Sequence, residues 1–400
     1  MSRYRLSSPT TIANYLVAFS VAANASLVAP TLSLHLSQTY GIAAFWIGIF
    51  FIGKAASSII ASQLIARWSD RLADRRPLIT ASMFCGGISC LLFSWAETFK
   101  AMLIIACTVF GLAYISWAQL MAQVREFADE FLPPVQATLF NSITRACMAF
   151  AWVAGPPLGF LLMAQLGFKL QCQIVATSYF VTGAAIWVLM PKITPKPKIN
   201  PIVAENVAIK SPRNWTLFGS ICAFTLMFST NASYQIALPL MIVEKLHASP
   251  EFAGLLMGTA ALLEIPLMVA AGFLSSRLGL LTLIRIGAGA SAIMYLGVWQ
   301  ATAVWQLFAL QIFNAIFVGF MAGLGMTWFQ NLLPGRIGVS SSYFANSNGL
   351  GEIVGYLIIA FVAQRVGYAN MYGFNVLVAL TALAILMVAC KKNSGQAVSA

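Results

Sequence analysis

The chain has 400 residues, 60% of them hydrophobic and 8% charged, with mean hydropathy +0.83 and formal net charge +12. A soluble domain carries about 25% charged residues, so this composition excludes an ordinary soluble globular protein. The basic surplus does not require a nucleic-acid partner, because cytoplasmic loops of membrane proteins collect Lys and Arg.

A bilayer core about 30 Å thick is crossed by roughly 20 apolar residues in a helix. Twelve such stretches follow one another, at 11–36, 43–65, 77–95, 101–123, 138–164, 168–190, 214–241, 250–271, 281–300, 305–329, 340–363 and 367–390. They are numbered here as spans 1 to 12. Barrel strands would be about ten residues long and alternate in polarity. In lipid each segment must satisfy its own backbone, so the expectation is an all-α integral membrane protein with twelve transmembrane helices. Ala22-Ala23-Asn24-Ala25 faintly resembles a signal-cleavage site. The apolar run continues past it, so span 1 is read as an uncleaved helix.

With the N-terminus inside, 17 of the 23 basic residues fall on the inner side. Four fall outside (Lys100, Lys169, Lys245, Arg365) and two, Lys54 and Arg145, fall within spans. Both termini are therefore expected in the cytoplasm. The seven cysteines have no metal-ligand spacing, and His35 and His247 lie at span ends, so no metal or cofactor is expected.

The Pro- and Lys-rich stretch 191–213 reads as a cytoplasmic linker between an N-terminal half, 1–190, and a C-terminal half, 214–400. The halves look like repeats. Asn24-Ala25-Ser26 matches Asn231-Ala232-Ser233 at an offset of 207, and Gly48 matches Gly254 and Arg71 matches Arg277 at 206. Two six-helix halves of this kind resemble the major facilitator fold, in which substrate binds near mid-membrane where the halves meet.

The stretch Ala66 to Arg76 strengthens that resemblance. Major facilitators carry G-x-x-x-D-[RK]-x-G-x-[RK]-[RK] after span 2, and this chain has Ala66, Asp70, Arg71, Ala73, Arg75 and Arg76 at those positions. The resemblance implies a cytoplasmic gate built from Asp70, Arg71, Arg75 and Arg76. Arg125 and Glu126 after span 4, and Arg336 after span 10, are expected to serve the same gate. A plain positive-inside loop is the other reading. In span 5, Gly155-Pro156-Pro157-Leu158-Gly159 resembles the G-P-x-x-G motif of exporters and antiporters. Glycine lets helices approach closely, and proline bends its helix.

Three longer runs carry a closer resemblance: Ala29 to Ser37, Gly254 to Pro266, and Leu310 to Phe317 continuing through Trp328 to Arg336. They look like the Set-type sugar efflux transporters of bacteria. The resemblance implies export of lactose-like and glucoside-like sugars or analogues across the bacterial inner membrane, driven by protons. The partners implied are a small sugar, protons and the lipid bilayer, with no nucleic acid, and the chain acting as a monomer.

Ionisable residues inside spans cost about 2.5–3.5 kcal/mol each, so they are functional candidates. Four stand out: Lys54, Arg145, Glu264 and Glu352. In major facilitators span 2 faces span 11 and span 5 faces span 8. Lys54 and Glu352 lie at matching depth, as do Arg145 and Glu264. Two ion pairs, Lys54–Glu352 and Arg145–Glu264, are expected to form in one access state and loosen in the other, coupling a proton to transport. The alternative is that each pair only locks the halves together.

A sugar site needs placed hydrogen-bonding groups and an aromatic face. The cavity-lining spans of this fold offer Asn24 and Thr31, Gln119 and Gln123, Asn231, Tyr234 and Gln235, and Gln311, Asn314 and Trp328. Ser116 extends the face of Gln119 and Gln123. Span 5 adds Asn141 beside Arg145, and span 11 adds Asn346. Trp117, Trp152 and Trp328 are stacking candidates, while Trp95, Trp187 and Trp299 read as interfacial anchors. A structural hydrogen bond between helices stays open for each polar residue. A multidrug/proton antiporter of the same fold is the alternative function. Enzyme action is not expected, since no nucleophile–base pair, metal cluster or phosphate loop is present.

Overall fold

The computed structural model describes residues 6–69, 74–193, 214–334 and 336–389. Among these, every regular element is a helix. In order they are α1 (Pro9–Val28), α2 (Leu32–Tyr40), α3 (Ala44–Ser69), α4 (Arg76–Trp95), α5 (Phe99–Ile105), a π-helical segment (Ala106–Phe110), α6 (Gly111–Ala113), α7 (Ile115–Phe131) and α8 (Pro134–Leu189). From residue 214 onward come α9 (Asn214–Glu244), α10 (Glu251–Leu278), α11 (Leu280–Gln300), α12 (Val304–Leu332), α13 (Ile337–Ile358), a second π-helical segment (Ile359–Ala363) and α14 (Gln364–Val388). Starts are marked by local chemistry. Ser8 caps α1, its Oγ accepting from Thr11 N, with Pro9 in the first turn, and Thr98 caps α5 by accepting from Ala101 N.

Ten stretches of these helices are long and apolar enough to cross a membrane. Two of them, Leu139–Leu189 and Val339–Val388, run to 51 and 50 residues. At 1.5 Å per residue each would be about 75 Å long, more than twice the hydrocarbon core. Each is broken by one glycine with positive φ, Gly167 (φ 78°, ψ 160°) and Gly367 (φ 81°, ψ 162°). The breaks fall at the expected boundaries between spans 5 and 6 and between spans 11 and 12.

Three spans depart from the regular helices expected of them. Span 1 breaks between α1 and α2 around Pro30, which lacks the N–H that a continuous helix needs. Span 4 contains the π-helical segment and a second break at Tyr114, and it continues to Phe131. Span 11 ends in the other π-helical segment.

The chain forms two compact units. One comprises Met1–Ile199 with Leu238–Ala261, the other Asn200–Ala237 with Leu262–Ala400. The segment Leu238–Ala261, expected with the second half, groups with the first. Its packing explains this. A Cβ at Gly254 would lie 2.6 Å from Pro156 O, and one at Gly258 would lie 2.5 Å from Val153 O. Both glycines thus bring α10 onto the proline-bent part of α8, and small residues allow such approach in lipid. In the first unit α1 and α4 pack on α8, around Phe50, Phe110 and Phe160. In the second, α11 packs on α12 and α14, around Tyr295, Phe317 and Tyr372.

Candidate functional site

The first unit gathers its charges where α4 begins. Arg75, 5% exposed, donates from Nε to Glu126 Oε1 at 3.0 Å and from Nη1 to Gln119 Oε1 at 2.8 Å. Arg76 donates to Asp74 through Nη2 at 2.8 Å and Nε at 3.1 Å, and to Met190 O at 3.1 Å. Its guanidinium lies 5.4 Å from the Trp187 ring centroid. Gln123 Nε2 donates to Pro191 O at 3.2 Å. Burial works against the Asp74 charge, but the hydrogen bonds and positive charge of Arg76 prevail and hold its carboxyl below the usual range. One polar cluster therefore ties α7 and the ends of α4 and α8. Arg75, Arg76 and Glu126, expected in a gate, meet here. Gln119 and Gln123, expected to line a cavity, are part of the same cluster. Trp187, expected as a lipid anchor, is exposed and also faces Arg76. Arg125 stays exposed, with Asp129 3.9 Å away, a pair worth little. Arg336 is exposed, and Asp70 and Arg71 lie outside the described residues.

The break in span 1 creates an orphan carbonyl. Thr31 N bonds Val28 O, three residues back, so Leu27 O loses its regular helical donor. The fully buried Gln171, in the second limb of α8, fills the gap. Its Nε2 donates to Leu27 O at 2.7 Å, Gly159 O at 3.0 Å and Thr31 Oγ1 at 3.2 Å. Sequence reading missed Gln171. Thr31, expected at the substrate, belongs to this clamp. Asn24 donates to Thr182 Oγ1 at 3.1 Å, and Ser26 to Ala151 O at 3.1 Å, both joining α1 to α8.

Further along, Lys54 on α3 is 8% exposed and its ammonium lies 4.1 Å from the Tyr114 ring centroid. On α8, Asn141 is half-buried and Arg145 exposed.

The second unit holds a buried polar cluster among rings. The Tyr234 hydroxyl and Gln311 Nε2 are 3.2 Å apart, and Asn314 Nδ2 donates to Gln311 Oε1 at 3.0 Å. Tyr234 lies 6.2 Å from Tyr295 and 6.1 Å from Tyr372, ring centroid to centroid. Asn375 Nδ2 donates to Ser233 Oγ at 3.0 Å. Trp328, a stacking candidate, donates its indole N–H to Ser220 Oγ at 2.9 Å. Trp299 bonds Asn370 Oδ1 at 3.2 Å. Asn231 is half-buried, whereas Gln235 and Asn346 are exposed. Glu264 on α10 and Glu352 on α13 are half-buried.

The expected substrate residues thus fall into two sets. Asn24, Thr31, Gln119, Gln123, Tyr234, Gln311, Asn314 and Trp328 are bonded within their own units. Asn141, Asn231, Gln235 and Asn346 hydrogen-bond no protein group among the described residues. A separate cavity of about 400 Å³ lies between His35, Phe168, Lys169 and Pro250 and includes none of either set. Among the described residues no group of three His, Cys, Asp or Glu is placed to hold a metal.

The Major Facilitator Superfamily profile matches residues 15–234 and 219–397. Sugar efflux transporter A of Dickeya chrysanthemi is 35% identical over 378 residues, covering 94% of both chains. Sugar efflux transporter B of Salmonella typhimurium is 34% identical over 367 residues, 91% of this chain and 92% of its own. The fold is similar to that of a nucleoside transporter, NupG. That match has TM-score 0.76 at 13% identity and covers 94% of this chain and 99% of the other. It is similar also to a bacterial homologue of the human lysosomal transporter Spinster in an inward-facing, occupied conformation. There the TM-score is 0.77 at 12% identity, over 95% and 96%. This multi-pass membrane protein belongs to the major facilitator superfamily and, within it, to the family of Set-type sugar efflux transporters.

Proposed function

We propose that the protein exports lactose-like and glucoside-like sugars or their analogues across the bacterial inner membrane by alternating access. In this reading twelve spans form two six-helix halves, 1–190 and 214–400, joined by a cytoplasmic linker at 191–213, with both termini inside. The observation that carries it is identity of 33–35% to three kinds of sugar efflux transporter over 86–94% of the chain. The uncommitted amides of Asn141, Asn231, Gln235 and Asn346 supply the hydrogen bonds that sugar hydroxyls require. The bonded set, Tyr234, Gln311 and Asn314 above all, positions the helices that carry them. Arg75, Arg76 and Glu126 form the fixed part of the cytoplasmic gate.

Proton antiport is the coupling proposed. Lys54 with Glu352, and Arg145 with Glu264, each bring a cation and a carboxylate into spans, where unsupported charge is expensive. Separating a pair exposes its carboxylate to a proton. The test uses purified protein in liposomes with an imposed pH gradient, following labelled lactose and a thio-glucoside, wild type beside Glu264→Gln. Gradient-driven sugar accumulation that the variant loses supports antiport through Glu264. Equal accumulation in both keeps the exporter and makes the pair structural. Transport of a lipophilic cation with no sugar movement overturns the sugar reading.

A further inference from the structure

The π-helical segment in span 4 has a consequence for Tyr114. A π-turn adds one residue to the helical repeat, and such turns occur frequently at functional sites. Here it covers Ala106–Phe110, and the helix breaks again at Tyr114 before α7 begins. This stretch is pressed against α3. A Cβ on Gly53 would collide with Cys107 Sγ, and one on Gly111 with Ser57 Oγ. Lys54 follows Gly53 directly, so the same close approach carries its ammonium onto the face of the Tyr114 ring, at 4.1 Å. The ring's electron-rich face attracts a desolvated cation. The ring also meets Phe110, in T-shaped contact at 5.6 Å, which is itself packed on Phe93 at 5.3 Å.

The Tyr114 ring is therefore held by Lys54 and Phe110. Its hydroxyl is not. Tyr114 is half-buried, and the hydroxyl hydrogen-bonds no protein group among the described residues. A phenol both donates and accepts, which suits a sugar hydroxyl, and the hydroxyl is the hydrogen-bonding group that Tyr114 leaves open.

We infer that Tyr114 contacts the exported sugar through its hydroxyl, and that Lys54 and the π-turn position it to do so. The inference rests on the sugar-export reading above and names a contact within it. It is tested by calorimetric binding of lactose and its monodeoxy analogues to the purified full chain, wild type beside Tyr114→Phe. Phe keeps the ring face for Lys54 and removes only the hydroxyl. The expected result is about a tenfold rise in Kd for lactose, the scale of one lost hydrogen bond, with the melting temperature unchanged. One monodeoxy analogue should bind both proteins equally, because the contacted hydroxyl is already absent from it. Equal lactose Kd in both proteins overturns the inference alone. So does a rise of the same size for every analogue, which marks a purely structural effect. No lactose binding by the wild type overturns the sugar reading and this inference with it. Tyr114→Leu, which also removes the aromatic face, should bind no better than Tyr114→Phe and should melt lower.

Discussion

Arg75 and Glu126 lie 3.0 Å apart across 51 positions of sequence, with their side chains 6% and 19% exposed. Removing one member of such a buried pair strips the other of a charged partner. Glu126→Gln should destabilise the first unit by about 3 kcal/mol, the lower end of the range because Glu126 retains some solvent. Thermal unfolding in detergent checks this. The double variant Arg75→Gln/Glu126→Gln should recover part of the loss, and a double variant worse than the single would count against the pairing.

The contact of α10 with α8 predicts a contrast among glycines. At Gly258 an added methyl would meet the Val153 carbonyl oxygen at 2.5 Å, and backbone cannot yield as a flexible side chain does. Gly258→Ala should cost about 1–3 kcal/mol as overpacking. Gly289→Ala, where nothing lies within 4 Å, should melt with the wild type. Equal melting of both variants would mean that the two helices separate freely at this point.

Gln171 makes a third prediction. Gln171→Leu keeps much of the volume but strips a donor from Leu27 O and Gly159 O, each buried acceptor costing about 1–3 kcal/mol when left unpaired. The variant should melt well below wild type, and hydrogen exchange in residues 25–33 should accelerate. Unchanged exchange there would show that the break at Pro30 holds without the clamp.

Asp74 makes stability depend on pH in a defined direction. Its carboxyl titrates lower in the folded protein than when free, because Arg76 outweighs burial. Its contribution is therefore fully present above the ordinary carboxylate range, around pH 4, and is lost as pH falls through the depressed folded value. Wild type should melt above Asp74→Asn at pH 7, and the gap should close below about pH 4. A gap that widened on acidification would reverse the assignment.

The membrane explains what the sequence shows most plainly. Lipid requires continuous apolar runs, so the spans stand out, and the breaks at Gly167 and Gly367 fall where the apolar runs were divided. Interruptions inside a span leave fainter traces. Pro30 is visible, yet the run around it stays apolar and reads as one helix. The π-turn at Ala106-Cys107-Thr108-Val109-Phe110 has no compositional mark at all. The candidate site follows the same division. Arg75 and Glu126 could be singled out because charge is rare here. Gln171 could not, because its purpose depends on a carbonyl freed 144 positions away. Tyr114 could not either, since only the π-turn brings it to Lys54. Amides such as Asn24 and Asn231 look alike in sequence, and burial alone separates the one bonded to Thr182 from the one with open surface.

Gly167 and Gly367 differ in kind from Gly258. Around both, a methyl group would find empty space, yet the backbone turns through angles that L-residues avoid. What these two positions exclude is handedness, not bulk. A D-alanine introduced at 167 by chemical ligation would adopt φ 78° as its ordinary extended form, and it would stiffen the hairpin between the limbs of α8 by narrowing the unfolded chain's options. At Gly258 the limit is room, since an alanine methyl would meet the Val153 carbonyl oxygen. The turn between spans 5 and 6 is thus a point where mirror-image chemistry would strengthen the protein and ordinary mutation can only weaken it.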